Sequence, residues 1–180
     1  MDGLVGSEMC IRDSLNRGDK LSNEASLKYF LLGSLASCIL IYGVSLVYVS
    51  FSVFSVYNFA LGIAYVGPDS VPLTTSIGVL LIFIGLLFKI AAAPFQSWAP
   101  DVYQGSPTGY VGFMSSIAKV SSFIVIARLC LVSINFIIED FNIFFLIVII
   151  SSALIGSLFA SIQEDLKRLL AYSGVVQSGF

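Results

Sequence analysis

Long apolar runs, separated by short polar segments, limit this chain to one class of fold. The runs lie at about Lys28–Val49, Thr74–Trp98, Thr108–Ile134 and Asn142–Ile162. Each approaches or exceeds the roughly 20 residues of helix that cross a ~30 Å hydrocarbon core. Water is not the solvent for most of such a chain: 57% of the 180 residues are hydrophobic and 11% charged, with a mean hydropathy of +0.96. Soluble domains hold roughly 45–50% apolar and about 25% charged residues. The expected fold class is all-α, a polytopic transmembrane helix bundle whose first partner is the lipid bilayer. The few charges, net −2, cluster between the apolar runs, and nucleic acid is excluded as a partner. Three widely spaced cysteines (Cys10, Cys38, Cys130) and no histidine indicate neither a disulfide framework nor a metal site. Cys38 and Cys130 are expected as buried small hydrophobes.

Met1–Ser14 is polar, carries Arg12 and lacks the apolar run of a signal peptide. Residues 1–15 are therefore expected to be an extraneous leader, such as translated adapter sequence, and residues 16–180 the transmembrane domain. A polar connector, Asn16–Leu27, leads in, with Ser22 placed as a helix N-cap and Glu24 spaced i,i+4 to Lys28. The predicted crossings are 28–49, 74–98 with a broken extension to 104, 108–134 and 142–162, with the start of another from 169; both ends look cut. Ser50–Val66 mixes serines and aromatics and reads as an interfacial turn of helix, ending at Gly67-Pro68-Asp69. Arg17, Lys20 and Lys28 precede the first crossing and Lys167 and Arg168 follow the fourth, so both sites should face the cytoplasm. The outer segments, Ser50–Pro72 and Asn135–Phe141, hold Asp69, Glu139 and Asp140 and no Lys or Arg, which agrees with that parity.

Lys89 interrupts the second crossing and Lys119 the third. Each costs about 2.5–3.5 kcal/mol at the centre of a lone helix on translocon scales, so each needs a reason to be there. At 1.5 Å per residue Lys89 lies roughly 13 Å from the helix end near Trp98 and Lys119 roughly 16 Å from the start near Thr108, at one shared depth. Gly85, Ala92 and Ala93 flank Lys89 at helical spacing and would let another helix approach closely. Ser115, Ser116 and Ser122 flank Lys119 and form a hydroxylated stripe able to hold a water file. Arg128 lies nine residues beyond Lys119, about 180° round the helix, and reads as a snorkelling anchor or a structural ion pair. Two readings of the lysines stand: switchable proton carriers, or static partners of buried carboxylates. Crossings two and three supply no acidic partner, so one would have to come from elsewhere.

Between these crossings runs a stretch that cannot stay regular helix, with Pro94, Trp98, Pro100, Asp101, Tyr103, Gly105 and Pro107. It is either a discontinuous helix, whose freed backbone groups are received by protein or a wet cavity, or an ordinary loop with Trp98 and Tyr103 as interfacial aromatics.

These residues carry a resemblance. Phe88-Lys89, Pro94-Phe95, Trp98, Pro100-Asp101-Val102-Tyr103, Gly105 and Pro107-Thr108 resemble the central signature of the subunit N family of bacterial NADH:quinone oxidoreductase, equivalent to mitochondrial subunit 2. Glu24-Ala25 with Lys28-Tyr29-Phe30-Leu31-Leu32-Gly33-Ser34 resembles the start of that family's sixth helix, and Asp165–Ser173 the start of its tenth. The resemblance implies that Lys89 is the lysine coupled to a glutamate on the family's fifth helix, and Lys119 the central relay lysine of the eighth. It also implies a proton-translocating subunit that binds no cofactor itself, within a complex using NADH, FMN, iron–sulfur clusters and quinone. Other membrane-arm subunits would be its partners. Its membrane would be the bacterial cell membrane, or the mitochondrial inner membrane if organellar. Gln96 and Gln177 stand where many relatives have histidine, and Gly109 where proline is usual. A subunit of a multisubunit sodium/proton antiporter shares the fold and the paired lysines; a structural scaffold is the third reading.

Overall fold

A computed structural model describes residues 20–52, 55–66, 71–132 and 138–180. The expected leader, Cys10, the Gly67-Pro68-Asp69 turn and the end of the third crossing beyond Val132 lie outside the described residues. Among the described residues every element is helical. They are α1 (Lys20–Phe51), α2 (Val56–Val66), α3 (Leu73–Ile90), α4 (Trp98–Gly105), α5 (Thr108–Phe113), α6 (Lys119–Val132), α7 (Ile138–Ile162) and α8 (Leu166–Gly179). A π-helical turn, Met114–Ala118, joins α5 to α6 as one rod. Among the described residues four stretches are long and apolar enough to cross a membrane: Ser22–Phe51, Leu73–Ile90, Thr108–Leu131 and Phe141–Ile162. Ser22 lies two residues inside α1, so it does not stand at the helix start.

The α1–α3 pair is the most extensive helix contact. Its closeness follows from missing side chains: a Cβ on Gly43 would fall 2.7 Å from the Gly78 carbonyl oxygen, and one on Gly85 2.8 Å from Leu40 Cβ. Small residues at such a seam let two backbones meet where lipid offers no hydrophobic drive for association. Apolar packing completes the bundle at two levels. Val47, Phe59, Ile63, Val79, Phe83 and Phe141 form one cluster, and Ala91, Trp98, Ala99, Val102 and Met114 another. α7 and α8 form a hairpin closed by residues 163–165, and α4 is wedged between α1 and α8. Outward faces of α1, α6 and α7 remain apolar and exposed, among them Phe30, Leu35, Ile124, Leu146 and Leu158.

The second apolar run departs from a continuous 74–98 helix. α3 stops at Ile90, because Ala91 turns left-handed (φ 61°, ψ 37°) and caps the helix. Lys89 thus sits in the last turn of a helix, and the depth derived from a continuous helix does not apply. The chain then runs irregularly through the buried Ala91, Ala92 and Ala93 to a cis Ala93–Pro94 bond before α4 begins at Trp98. This is not a solvated loop: Trp98 and Tyr103, 7% and 2% exposed, are core residues and not interfacial aromatics. The cysteines also differ from expectation, with Cys38 exposed on α1 and Cys130 half-buried, since the face of α1 bearing Cys38 points away from α3 and α4.

Candidate functional site

A break in a helix at membrane depth leaves carbonyls without N–H partners, and the protein must receive them. Here it does. The Leu87 carbonyl accepts from the Ala92 amide at 3.1 Å. That of Phe88 accepts from the Ala91 amide at 3.0 Å and from the Trp98 indole at 3.1 Å. The Ala92 carbonyl takes the Phe95 amide at 2.8 Å, and that of Ala93 the Ser151 hydroxyl at 3.4 Å. Trp98 also stacks on Phe88, with ring centroids 5.9 Å apart, so one side chain caps the end of α3 and roofs it. Gln96 keeps a buried Oε1 without a partner among the described residues.

The break brings Lys89 to a cavity of about 260 Å³ whose wall includes Tyr29, Ser37, Trp98, Tyr103, Lys119, Ser121 and Ser122. Lys89 and Lys119, on neighbouring elements, therefore open onto the same space. Among the described residues Lys89 makes no ion pair or hydrogen bond. It lies in the last turn of α3, at the negative pole of the helix dipole. Gly85, expected to admit a neighbouring helix, touches α1 at Ala36 and Leu40.

Lys119 crosses the bundle to donate to the Gly174 carbonyl of α8 at 2.9 Å. A Cβ at 174 would fall 2.6 Å from its Nζ, so glycine makes the approach possible. Beyond Lys119 lies a second, larger cavity of about 550 Å³, lined by Tyr103, Ser115, Ser116, Ser173, Gln177 and Ser178 among others. The serine stripe is therefore split: Ser115 and Ser116 line the larger cavity and Ser122 the smaller. The π-helical turn lies between them, and so does about 1.5 Å of axial rise per residue. Ser115 and Ser116 donate back to the Gly112 carbonyl at 3.0 and 2.8 Å, which leaves their oxygen lone pairs toward the cavity as acceptors. Arg128 is exposed and lines neither cavity. Gly109 meets nothing within 4 Å of an added Cβ, so no neighbouring segment requires glycine there.

Asp101 has a different role from its neighbours in the broken stretch. It accepts from Lys28 Nζ and from Arg168 Nη2, each at 2.7 Å, and Lys28 also pairs with Glu24 at 2.8 Å. Burial alone would raise the Asp101 carboxyl, but the hydrogen bonds from Lys28 and Arg168 together hold it below the usual carboxylate range. Gln104 donates to Asp165 at 2.7 Å and Lys167 to the Ser106 carbonyl at 2.9 Å. α4 is thereby fastened by polar bonds to the starts of α1 and α8. Sequence reasoning placed Lys28, Lys167 and Arg168 on one side of the membrane but did not join them to Asp101. Opposite charges 73 and 67 residues apart give no local spacing signal. Pro94 and Pro107 are exposed and Pro100 is buried; Pro107 precedes α5 as its N-cap residue, and Gly105 ends α4. Among the described residues no three His, Cys, Asp or Glu side chains gather as a metal site would require.

The transmembrane family described as NADH:quinone oxidoreductase/Mrp antiporter matches residues 9–180. NADH-quinone oxidoreductase subunit N of Halorhodospira halophila is 39% identical over 165 residues, 92% of this chain and 34% of the relative. A chain in the structure of respiratory complex I from Thermus thermophilus superposes with a TM-score of 0.76 at 32% identity, over 96% of this chain and 36% of that one. A chain of the Mrp complex from Dietzia sp. superposes at 0.78 with 23% identity, over 89% of this chain and 29% of that one, a likeness of fold. The chain spans about a third of the length of the curated relatives it matches.

Proposed function

The chain belongs to the NADH:quinone oxidoreductase/Mrp antiporter transmembrane family, and from that membership we propose that it acts within the proton-translocating membrane subunit of an NADH:quinone oxidoreductase. The observation that carries the reading is the shared cavity: Lys89 and Lys119 face one space, and Lys119 alone of the two also reaches the larger cavity beyond. Lys89 accepts a proton at its amine and releases it into the smaller cavity. Lys119 takes it up and passes it sideways toward Ser115, Ser173 and Gln177. Lys119 rests on a neutral carbonyl and not on a carboxylate among the described residues, which suits a group that changes its protonation state. The protein is a non-redox subunit of this translocase. Quinone reduction elsewhere in the complex, with NADH, FMN and iron–sulfur clusters in other subunits, supplies the drive through conformational or electrostatic coupling. Other membrane-arm subunits cover its exposed apolar faces where lipid does not, in a bacterial cell membrane or a mitochondrial inner membrane.

Sodium/proton antiport is supported by likeness of fold, whereas the more identical relative and structure carry the respiratory name. The test is Lys119→Ala in the full-length subunit within its complex. Proton pumping is expected to fall by about 10²-fold, the scale of a positioned proton-transfer group. An unchanged proton-to-electron stoichiometry would remove Lys119 from the path.

A further inference from the structure

Among the described residues the two cavities share two wall residues, Lys119 and Tyr103. The smaller one is walled by α1 and α3, the larger by α8, with the α5–α6 rod between them. These two side chains therefore stand at the boundary of both spaces. Lys119 has an acceptor in the Gly174 carbonyl. Tyr103 enters from α4, packed against Val111 and Ala171, and its hydroxyl makes no hydrogen bond to protein among the described residues. That hydroxyl is not sealed in either, since it is absent from the fully buried unpartnered atoms. A phenol both donates and accepts, and in an apolar surround it needs a partner, for which cavity water is the available one. Its position is held: Asp101, Gln104 and Ser106, on both sides of it in sequence, are the three points at which α4 is bonded to α1 and α8.

Resting on the proton-transfer reading above, we propose that the Tyr103 hydroxyl is a second station on the path between the cavities, in series with Lys119. A proton that Lys119 has released to cavity water bonds to the phenol oxygen as the phenol's own proton leaves to water in the larger cavity. One O–H bond forms, one breaks, and tyrosine ends neutral. Rotation about the C–O bond resets it.

The experiment uses the complete subunit in its assembled complex, reconstituted in vesicles and driven by NADH and a quinone. Tyr103→Phe keeps the ring and its packing and removes the hydroxyl, with Lys119→Ala as the parallel variant. The inference expects Tyr103→Phe to lower pumping about tenfold at unchanged assembly, a loss that a merely structural ring would not cause. Full pumping by Tyr103→Phe alongside a failed Lys119→Ala overturns the inference and leaves the functional reading standing. Full pumping by both variants overturns both. If Tyr103→Phe does not assemble, 3-fluorotyrosine at 103 retains ring and hydroxyl with a more acidic phenol. A changed solvent-deuterium effect on pumping then supports the link, and an unchanged one overturns it.

Discussion

Lys119 is held by a neutral acceptor. A carboxylate opposite it would make a fixed ion pair, whereas the Gly174 carbonyl accepts from an ammonium and, more weakly, from a neutral amine, so neither protonation state leaves a buried charge opposite it. The arrangement depends on the absence of one carbon atom. Gly174→Ala would place a Cβ 2.6 Å from Nζ. Alanine is a better helix former than glycine by roughly 0.8–1 kcal/mol, so α8 itself is not weakened. Gly174→Ala is accordingly expected to cut proton pumping about tenfold, as a misplaced transfer group does, while thermal stability stays within about 1 kcal/mol of the parent. Pumping assays and thermal melts on the same preparation separate the two effects, and a variant that pumps normally would deny Gly174 any part in placing the lysine. Nothing in the sequence pairs position 174 with position 119, because the pairing is made by the crossing of two helices 55 residues apart. Cys38 teaches the converse: an apolar, small residue within a run of apolar residues gives no sign of which way it points.

The element that decides the site is α4, eight residues long. Too short to be stable alone, it is fixed by the indole of Trp98 on the Phe88 carbonyl at one end and by the polar bonds of Asp101, Gln104 and Ser106 along its length. Asp101→Asn keeps the shape and removes the charge, leaving Arg168 without its anion and Lys28 with Glu24 alone. The sign of the pH dependence follows from the lowered Asp101 pKa: the stabilisation is fully present above the ordinary carboxylate pKa and is lost as pH falls through the lower folded-state value. The parent subunit in detergent should therefore melt a few degrees above Asp101→Asn near neutral pH, and the gap should close on acidification below about pH 4. Equal melting at neutral pH would mean that the clamp contributes nothing. The prolines announced the break, and the need to receive freed carbonyls made a buried segment expected in one of its two readings. Which carbonyl each group receives could not be read, since the partners are side chains and amides placed by the path of the chain.

Across the whole molecule the clamp also fixes sidedness. Lys28, Asp101 and Arg168 meet at one face, so the start of α1, the segment after α3 and the start of α8 share a side of the membrane. Ser55, beyond the far end of α1, lies on the other. With the native cysteines replaced, Ser55→Cys and Glu164→Cys are expected to react with a membrane-impermeant thiol reagent from opposite sides of sealed vesicles. Both labelled from one side would break the topology. The helical class, the breaking of the second run and the two lysines as candidate carriers were legible in the sequence. Each depends on a local quantity: the length of an apolar run, the missing N–H of proline, or the cost of a charge in hydrocarbon. The point where α3 stops, the division of the serines between two cavities, the hold of Asp101 on α1 and α8 and the place of Tyr103 beside Lys119 were decided only by the tertiary structure. They arise where segments far apart in the chain are brought within a few ångströms, and a one-dimensional pattern holds no term for that distance.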